Sequence, residues 1–354
     1  MKGLVLCAGK GTRLRPLTHT GAKHLIPVAN KPILFHVVED LIEAGITQIG
    51  LVVSPDHADI AEAVGKGERW GGNVSYVVQA DPRGLAHAVQ VSQEFLGGDR
   101  FVMYLGDNLL EHGITKFVSQ YGSQESAAAF MVYPVDDPRR FGVAEVGPEG
   151  SVMSVVEKPA QPKSNLAIAG IYLFSPAIHQ AIASIKPSAR GELEITDAIG
   201  YLLARGDKVH ASPIKGWWRD TGKPEDVLDA NRLLLERIEP SYPSSLAQEN
   251  DLAGRVVIAE GCQLRGCTIR GPVMIAPDCV LENAFVGPFT SISERCLLRN
   301  CEIENSIVMA ESQIIDVSGR IDSSLLGRQV VLEGSSGRPE IHRFILGDQS
   351  QIVL

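Results

Sequence analysis

The C-terminal third of the chain repeats itself every 17 residues, and this period constrains the fold more than any other feature. Ala259, Ala276, Ser293, Ala310 and Gly327 recur at that spacing, each preceded by an apolar residue: Ile258, Ile275, Ile292, Met309 and Leu326. A second apolar column is Leu264, Leu281, Leu298, Ile315 and Leu332. A third is Ile269, Val286 and Ile303, after which Arg320 fills the slot and Ile321 follows one place late. Three inward aliphatics per repeat describe a triangular coil of short strands that buries its face only against neighbouring coils, the mark of a parallel β-helix. The pattern holds through Leu332 and dissolves at Gly334-Ser335-Ser336-Gly337-Arg338-Pro339, which makes the remaining residues a cap that includes His342.

The same register accounts for most of the six cysteines. Cys262, Cys279 and Cys296 each fall four residues after a first-column aliphatic, where a small inward side chain fits. A metal shared by Cys262/Cys267 and Cys296/Cys301 would have to bridge two coils, roughly 9–10 Å at the spacing of paired strands. Zinc–sulfur bonds of about 2.3 Å do not close that gap. The cysteines are core filling, and nothing in their spacing asks for an oxidising compartment.

Residues 1–238 follow a different grammar, and 354 residues exceed what one hydrophobic core usually organises. Short apolar runs alternate with helical patterns, which predicts an α/β layer architecture. Strands are expected at Gly3–Cys7, Ile49–Val53, Val74–Val78, Phe101–Leu105, Ala128–Tyr133 and Ile168–Phe174, with a hairpin joining Val143–Val146 to Val152–Val156. Helices are expected from Pro32 to Ala44, closed by Gly45, and from Pro224 to Arg237. The run Glu239-Pro240-Ser241-Tyr242-Pro243-Ser244-Ser245 breaks the periodicity. The expected organisation is therefore a domain over 1–238, a linker over 239–252 and a β-helix with its cap over 253–354. A net charge of −9 without a dense basic run excludes a phosphate-backbone binder, and no 18-residue apolar stretch offers a membrane span. The apolar start, Leu4 to Ala8, is too short for a signal peptide, so the cytoplasm is expected.

The candidate chemistry begins at Leu6-Cys7-Ala8-Gly9-Lys10-Gly11-Thr12-Arg13-Leu14, where a strand runs into a glycine-rich turn. Backbone N–H groups in such a turn cradle phosphate oxygens, Gly9 and Gly11 permit close approach, and Arg13 and Lys23 could neutralise a polyphosphate. The turn lacks both the Gly-Lys-Ser/Thr of a Walker A loop and the third glycine of a dinucleotide fingerprint. Asp107 ends an apolar strand, where a carboxylate reaches a ligand crevice.

Taken with Lys23-His24-Leu25-Ile26-Pro27 and Asn30-Lys31-Pro32, this turn resembles that of the sugar-1-phosphate nucleotidyltransferase family. Further matches follow in order: Gln79-Ala80-Asp81-Pro82-Arg83-Gly84-Leu85-Ala86, Leu105-Gly106-Asp107-Asn108, Phe141-Gly142-Val143, Val156-Glu157-Lys158-Pro159, Lys186 to Asp197, and Trp218-Arg219-Asp220-Thr221-Gly222. The resemblance is dense over 1–238 and extends to the tail in architecture. It implies a Rossmann-like mixed-sheet domain followed by a left-handed parallel β-helix, in a homo-oligomer. It also implies that the phosphate of glucose 1-phosphate attacks the α-phosphorus of dTTP, giving dTDP-glucose and pyrophosphate, with alignment and charge neutralisation carrying the displacement.

In that scheme Arg13, Lys23, Asp107, Lys158 and Asp220 are catalytic, and Asp107 and Asp220 hold Mg²⁺ against the phosphates. Leu6, Ala8, Gly9, Lys10, Gly11, Thr12, Arg13, Lys23 and Asp107 surround the nucleotide, while Gln79, Pro82 and Gly84 address its base. Lys158 and Arg190 meet the sugar phosphate, Glu157 a sugar hydroxyl, and Gly142 and Ile168 line the sugar pocket, with Asn108 and Asp220 beside them. Three positions depart from the family pattern: Ala8 stands for a cradle glycine, His24 for a common Gln, and Arg219 for an apolar residue. These leave open UTP in place of dTTP. A degenerate, regulatory version of the site is disfavoured by the retained Arg13, Lys23, Asp107, Lys158 and Asp220. An acyltransferase tail is the remaining alternative, but residues 253–333 contain no histidine to serve as base, which leaves only carboxylates such as Glu282 or Glu304.

Overall fold

Strand β1 (Lys2–Cys7) is the hub of a nine-stranded mixed sheet. It pairs in parallel with β2 (Gln48–Val53) on one side and β4 (Phe101–Leu105) on the other, and β3 (Asn73–Val78) extends the parallel run beside β2. The runs of β1, β2 and β4 are almost wholly apolar and buried because both faces are covered. Leu4, Leu6, Phe101 and Met103 pack into one core, while Val5, Cys7, Val102 and Tyr104 pack into a second on the opposite face. Strand β5 (Asn108–Leu110) leaves this sheet to pair with β11 (Trp218–Asp220).

The other half of the sheet is antiparallel. Strand β9 (Leu166–Phe174) pairs with β4, with β6 (Ala128–Pro134) and with β7 (Gly142–Val146). It serves three partners because its register shifts between Ile168 and Tyr172, around Gly170. Strand β7 forms the expected hairpin with β8 (Val152–Glu157), and β10 (Val209–Pro213) joins β6 in parallel. The first long helix is Ile33–Glu43. Pro32 lies outside it and pairs with Pro27 in a two-residue hairpin, so the helix starts one residue later than its proline suggests.

This computed structural model describes residues 1–123, 125–334 and 346–353. They fall into two compact units, one built from Met1–Lys10, Gly21–Leu25 and Ile33–Asp220, the other from Gly11–Thr20, Ile26–Pro32 and Thr221–Leu354. In the second, fifteen short strands stack as three parallel five-stranded sheets, the three faces of the left-handed β-helix. Leu264, Leu281 and Leu298 align on one face, and Ile269, Val286, Ile303 and Ile321 on another.

Two expected inward positions shift by one. Ile292 is followed in register by Val308, not Met309, and Leu298 by Ile314, not Ile315. In both columns the step from the third to the fourth residue is 16 and the next is 18, so they return to step at Leu326 and Leu332. All six thiols are free, and those of Cys262, Cys267, Cys279 and Cys296 donate to carbonyls of the next coil. The run after Glu239 is folded onto the coils: Ser241 bridges Val257, and Tyr242 and Leu246 pack on the coil core. His342 and residues 335–345 of the expected cap lie outside the described residues.

Within this unit one buried polar side chain joins three segments. Asn231, in the helix Pro224–Leu235, accepts from Ala29 N at 2.8 Å and from Ser291 Oγ at 2.6 Å, and donates to Phe289 O at 3.0 Å. Its polar atoms are satisfied, which is the condition for burying an amide at all.

The shifted register makes a direct prediction. Ile314→Ala should destabilise by about 2–5 kcal/mol because it empties a fully buried slot, while Ile315→Ala should cost about 1 kcal/mol or less. Denaturant unfolding followed by circular dichroism will separate the two; equal losses would contradict the shift.

Candidate active site

The parallel strands deliver their carboxyl ends to one edge. Gly106, after β4, donates to Leu6 O at 3.0 Å, and Gln79, after β3, donates to Val53 O at 2.9 Å. The start of the glycine turn, the segment 106–108 and Gln79 therefore share the edge at which open α/β sheets bind ligands.

Asp107 is the centre of that edge. Its carboxylate is buried and forms an ion pair with Lys23, and its other oxygen accepts from Asn108 Nδ2 at 2.9 Å. Burial works against ionisation of Asp107; the Lys23 ammonium and the hydrogen bonds from Lys23 and Asn108 prevail and hold the carboxyl below its usual range. Asn108 Oδ1 in turn accepts from the indole of Trp218 at 2.7 Å. The β5–β11 pairing sets Asp220 opposite Asn108, which brings the second carboxylate to the strand beside Asp107. Two other titratable groups are buried against the pair. Burial, then Lys23, pushes His24 down to about 3, and burial, then Asp107, pushes the Cys7 thiol up. Neither carries charge at neutral pH.

A second cluster forms where β7, β8 and β9 meet. The space above Gly142 is closed by its neighbours: a Cβ there would meet Thr196 Cγ2 at 2.9 Å, Glu157 Oε2 at 3.2 Å and Ile168 Cδ1 at 3.4 Å. Glu157 accepts from Thr196 Oγ1 at 3.3 Å and from Arg190 at 3.4 Å, with Lys158 Nζ at 3.8 Å. Its carboxyl is raised by burial, against the pull of Lys158. Arg190 is itself anchored on the buried Glu194 at 2.8 Å. Lys158 has φ 40°, a conformation sparsely populated for a long side chain and the kind of strain that concentrates at working sites.

The third cluster is the turn 79–84. Gly84 has φ +104°, and a Cβ on it would collide with Leu193 O and approach Leu193 N to 2.9 Å. Leu193 N donates to Arg83 O at 2.8 Å and Leu193 O accepts from Ala86 N at 3.1 Å, so this turn is clamped to the segment that carries Glu194 and Thr196. Pro82 is exposed in it.

The first unit thus contains Leu6, Ala8, Gly9, Lys10, Lys23, Gln79, Pro82, Gly84, Asp107, Asn108, Gly142, Glu157, Lys158, Ile168, Arg190 and Asp220. Gly11, Thr12 and Arg13 belong to the second. There Gly11 takes φ 60° and its carbonyl accepts from Leu14 N and Thr18 Oγ1, which fixes the end of the turn. Sequence reasoning gave no role to Trp218, Glu194 or Thr196. Each lies within a quoted motif, but their partners are remote in the chain and only folding reveals the bonds. Among the described residues no helix is long and apolar enough to cross a membrane.

A glycine-rich turn after a central parallel strand, a buried carboxylate held by a lysine and a polar cluster around Glu157 mark an α/β protein with a candidate ligand site at the carboxyl edge of its sheet. The chain belongs to the nucleotidyl transferase family, whose model matches residues 2–237. It is 47% identical over 99% of both chains to a glucose-1-phosphate thymidylyltransferase of Streptomyces griseus. It is 44% identical over the full length of both to the low-salt glycan biosynthesis nucleotidyltransferase Agl11 of Haloferax volcanii. The crystal structure of a Bacillus anthracis protein, described as a glucose-1-phosphate thymidylyltransferase in complex with sucrose, superposes with a TM-score of 0.63 at 37% identity. That match covers 68% of this chain and 98% of the other.

The clamp on Gly84 can be tested against a glycine of similar conformation in open space. Gly84→Ala should destabilise by about 2–4 kcal/mol, and Gly191→Ala, with φ +76° and nothing within 4 Å of its Cβ, by about 1–2 kcal/mol. Thermal unfolding of both variants checks the difference.

Proposed function

We propose that the protein transfers the nucleotidyl group of dTTP to glucose 1-phosphate, releasing pyrophosphate and forming dTDP-glucose. The observation that supports this reading is the pairing of Asp220 opposite Asn108, the chain neighbour of Asp107, near the edge where the glycine turn begins. Full-length identity to a glucose-1-phosphate thymidylyltransferase supports the choice of substrates.

Asp107 and Asp220 fit Mg²⁺: both offer hard oxygen donors, and Mg²⁺ is commonly held by one or two carboxylates together with substrate phosphates. The Lys23 ammonium on Asp107 already stands as a cation at that carboxylate. When bound, Mg²⁺ supplies charge neutralisation at the phosphate oxygens. The chain's own groups do the rest. The N–H groups of Ala8 to Thr12 cradle the triphosphate, Lys23 and Arg13 balance its charge, and Leu6 lies beneath. Gln79, Pro82 and Gly84 receive the base. Glu157 accepts from a sugar hydroxyl, Gly142 and Ile168 bound the sugar, and Lys158 and Arg190 hold its phosphate in line with the α-phosphorus, with Asn108 alongside. No proton transfer is required, since the attacking phosphate is already anionic. Residues 1–238 form the catalytic domain, 239–252 the connection and 253–354 the β-helix with its C-terminal cap, and the coils serve association of a cytoplasmic homo-oligomer.

Initial rates of pyrophosphate release with dTTP, UTP and the purine triphosphates test the reading, with dTTP expected to be preferred; no release from any of them would refute it. Asp107→Asn and Asp220→Asn should each lower kcat by about a hundredfold or more while leaving the far-ultraviolet spectrum intact, because each removes a charge from the neutralising clamp. Lys158→Ala should weaken glucose 1-phosphate binding by the roughly 1.5–3 kcal/mol of a charged hydrogen bond and leave dTTP binding nearly unchanged. Calorimetry with each substrate separates these; equal losses would place the lysine elsewhere.

A further inference from the structure

Gln79, Arg83 and His87 form a relay beside the turn just described. Gln79 is 4% exposed and His87, in the helix Leu85–Val91, 5%. Gln79 Nε2 stands 2.8 Å from His87 Nδ1, and Arg83 Nη2 stands 2.9 Å from His87 Nε2. With both neighbours donating, the imidazole would have to accept at both nitrogens. No protonation state allows that: the neutral ring has one acceptor and the cation none. Arg83 cannot change its part, because a guanidinium only donates. The amide can, since a half-turn about its last bond exchanges nitrogen and oxygen.

We propose that His87 is a specificity-determining positioning residue. Arg83 requires a bare Nε2, the ring proton therefore sits on Nδ1, and Nδ1–H holds Gln79 Oε1, so that Gln79 turns its NH₂ toward the base. Burial, then Arg83, lowers the His87 pKa and keeps the ring neutral. Gln79 is thereby a committed donor and not an amide free to present either end. A pyrimidine with a 4-oxo group accepts from it; a cytosine presents a 4-amino group, and two donors face each other unpaired. This inference rests on the proposed role of Gln79 at the base, while the relay itself exists without ligand.

The experiment has two arms. In the substrate-free full-length protein, ¹⁵N NMR of the histidine rings, with His87 assigned by its disappearance in His87→Gln, should show a protonated Nδ1 and a bare Nε2. The opposite tautomer, or a cationic ring at neutral pH, would overturn the relay. The second arm compares kcat/KM for dUTP and dCTP, which differ only at base positions 3 and 4. His87→Gln can repeat the relay, its oxygen accepting from Arg83 and its NH₂ donating to Gln79, so the wild-type ratio should persist. His87→Glu accepts from both neighbours and turns the Gln79 amide over, so the ratio should fall by about tenfold or more. His87→Leu, which frees the amide, should give a smaller fall and stands in if His87→Glu does not fold. An unchanged ratio in folded His87→Glu or His87→Leu would overturn the specificity role. If the wild type released no pyrophosphate from any nucleotide, the proposed function would fail while the NMR arm still decided the relay.

Discussion

A buried carboxylate, Asp107, organises the first unit. Removing a carboxylate from water is costly, and an unpaired one would protonate instead of remaining charged. The fold therefore surrounds it: Lys23 arrives on a turn that precedes the first long helix, Asn108 follows it in the chain, and Trp218 fixes Asn108 from the β11 strand. That last bond also explains why β5 and β11 form a small ladder of their own. Once Trp218 reaches Asn108, Asp220 is carried into register beside them. Replacing a buried ion pair with apolar residues is often neutral or stabilising, so this pair is better understood as a binding device than as a source of stability.

Much of this was legible in the sequence because it rests on periodicity and local chemistry. The continuous apolar runs of β1, β2 and β4 announce strands covered on both faces, and the 17-residue columns announce the coils. The errors arise where one residue of spacing matters. Met309 and Ile315 satisfy the period arithmetically, yet Val308 and Ile314 occupy the slots, because both pairs are apolar and hydrophobicity alone cannot distinguish them. Pro32 suits a helix start, but its pairing with Pro27 depends on the returning hairpin at 27–32.

The site divides along the same line. Asp107, Lys23, Glu157 and Gly142 could be chosen from motifs, since each sits at a strand end or turn that needs its residue type. The groups that orient them could not. Trp218 is separated from Asn108 by the whole antiparallel half of the sheet, and Thr196 reaches Glu157 from a helix. His87 looks like an ordinary helical residue until Arg83 and Gln79 are seen on its two nitrogens. First contacts to a ligand are constrained by local backbone chemistry, whereas their supports are constrained only by proximity in three dimensions.

The charge balance links this arrangement to the chemistry. A protein of net charge −9 that handles polyanions must concentrate its cations, yet three of the site cations are paired: Lys23 with Asp107, Arg190 with Glu194 and Glu157, Lys158 with Glu157. On the proposed reading this pairing is selective. A bare polyphosphate that drew Lys23 away would leave Asp107 buried and uncompensated, a penalty of several kcal/mol. A polyphosphate accompanied by a divalent cation leaves neither group unpaired, since the carboxylate gains a cation as the lysine gains a phosphate. Arg190 follows a different logic. It remains tethered to the buried Glu194, so it offers direction more than net charge, and the less constrained Lys158 is the cation able to follow a sugar phosphate. One pair thus selects for the metal-bound nucleotide, and the other cluster aligns the nucleophile without drawing stray anions into the site.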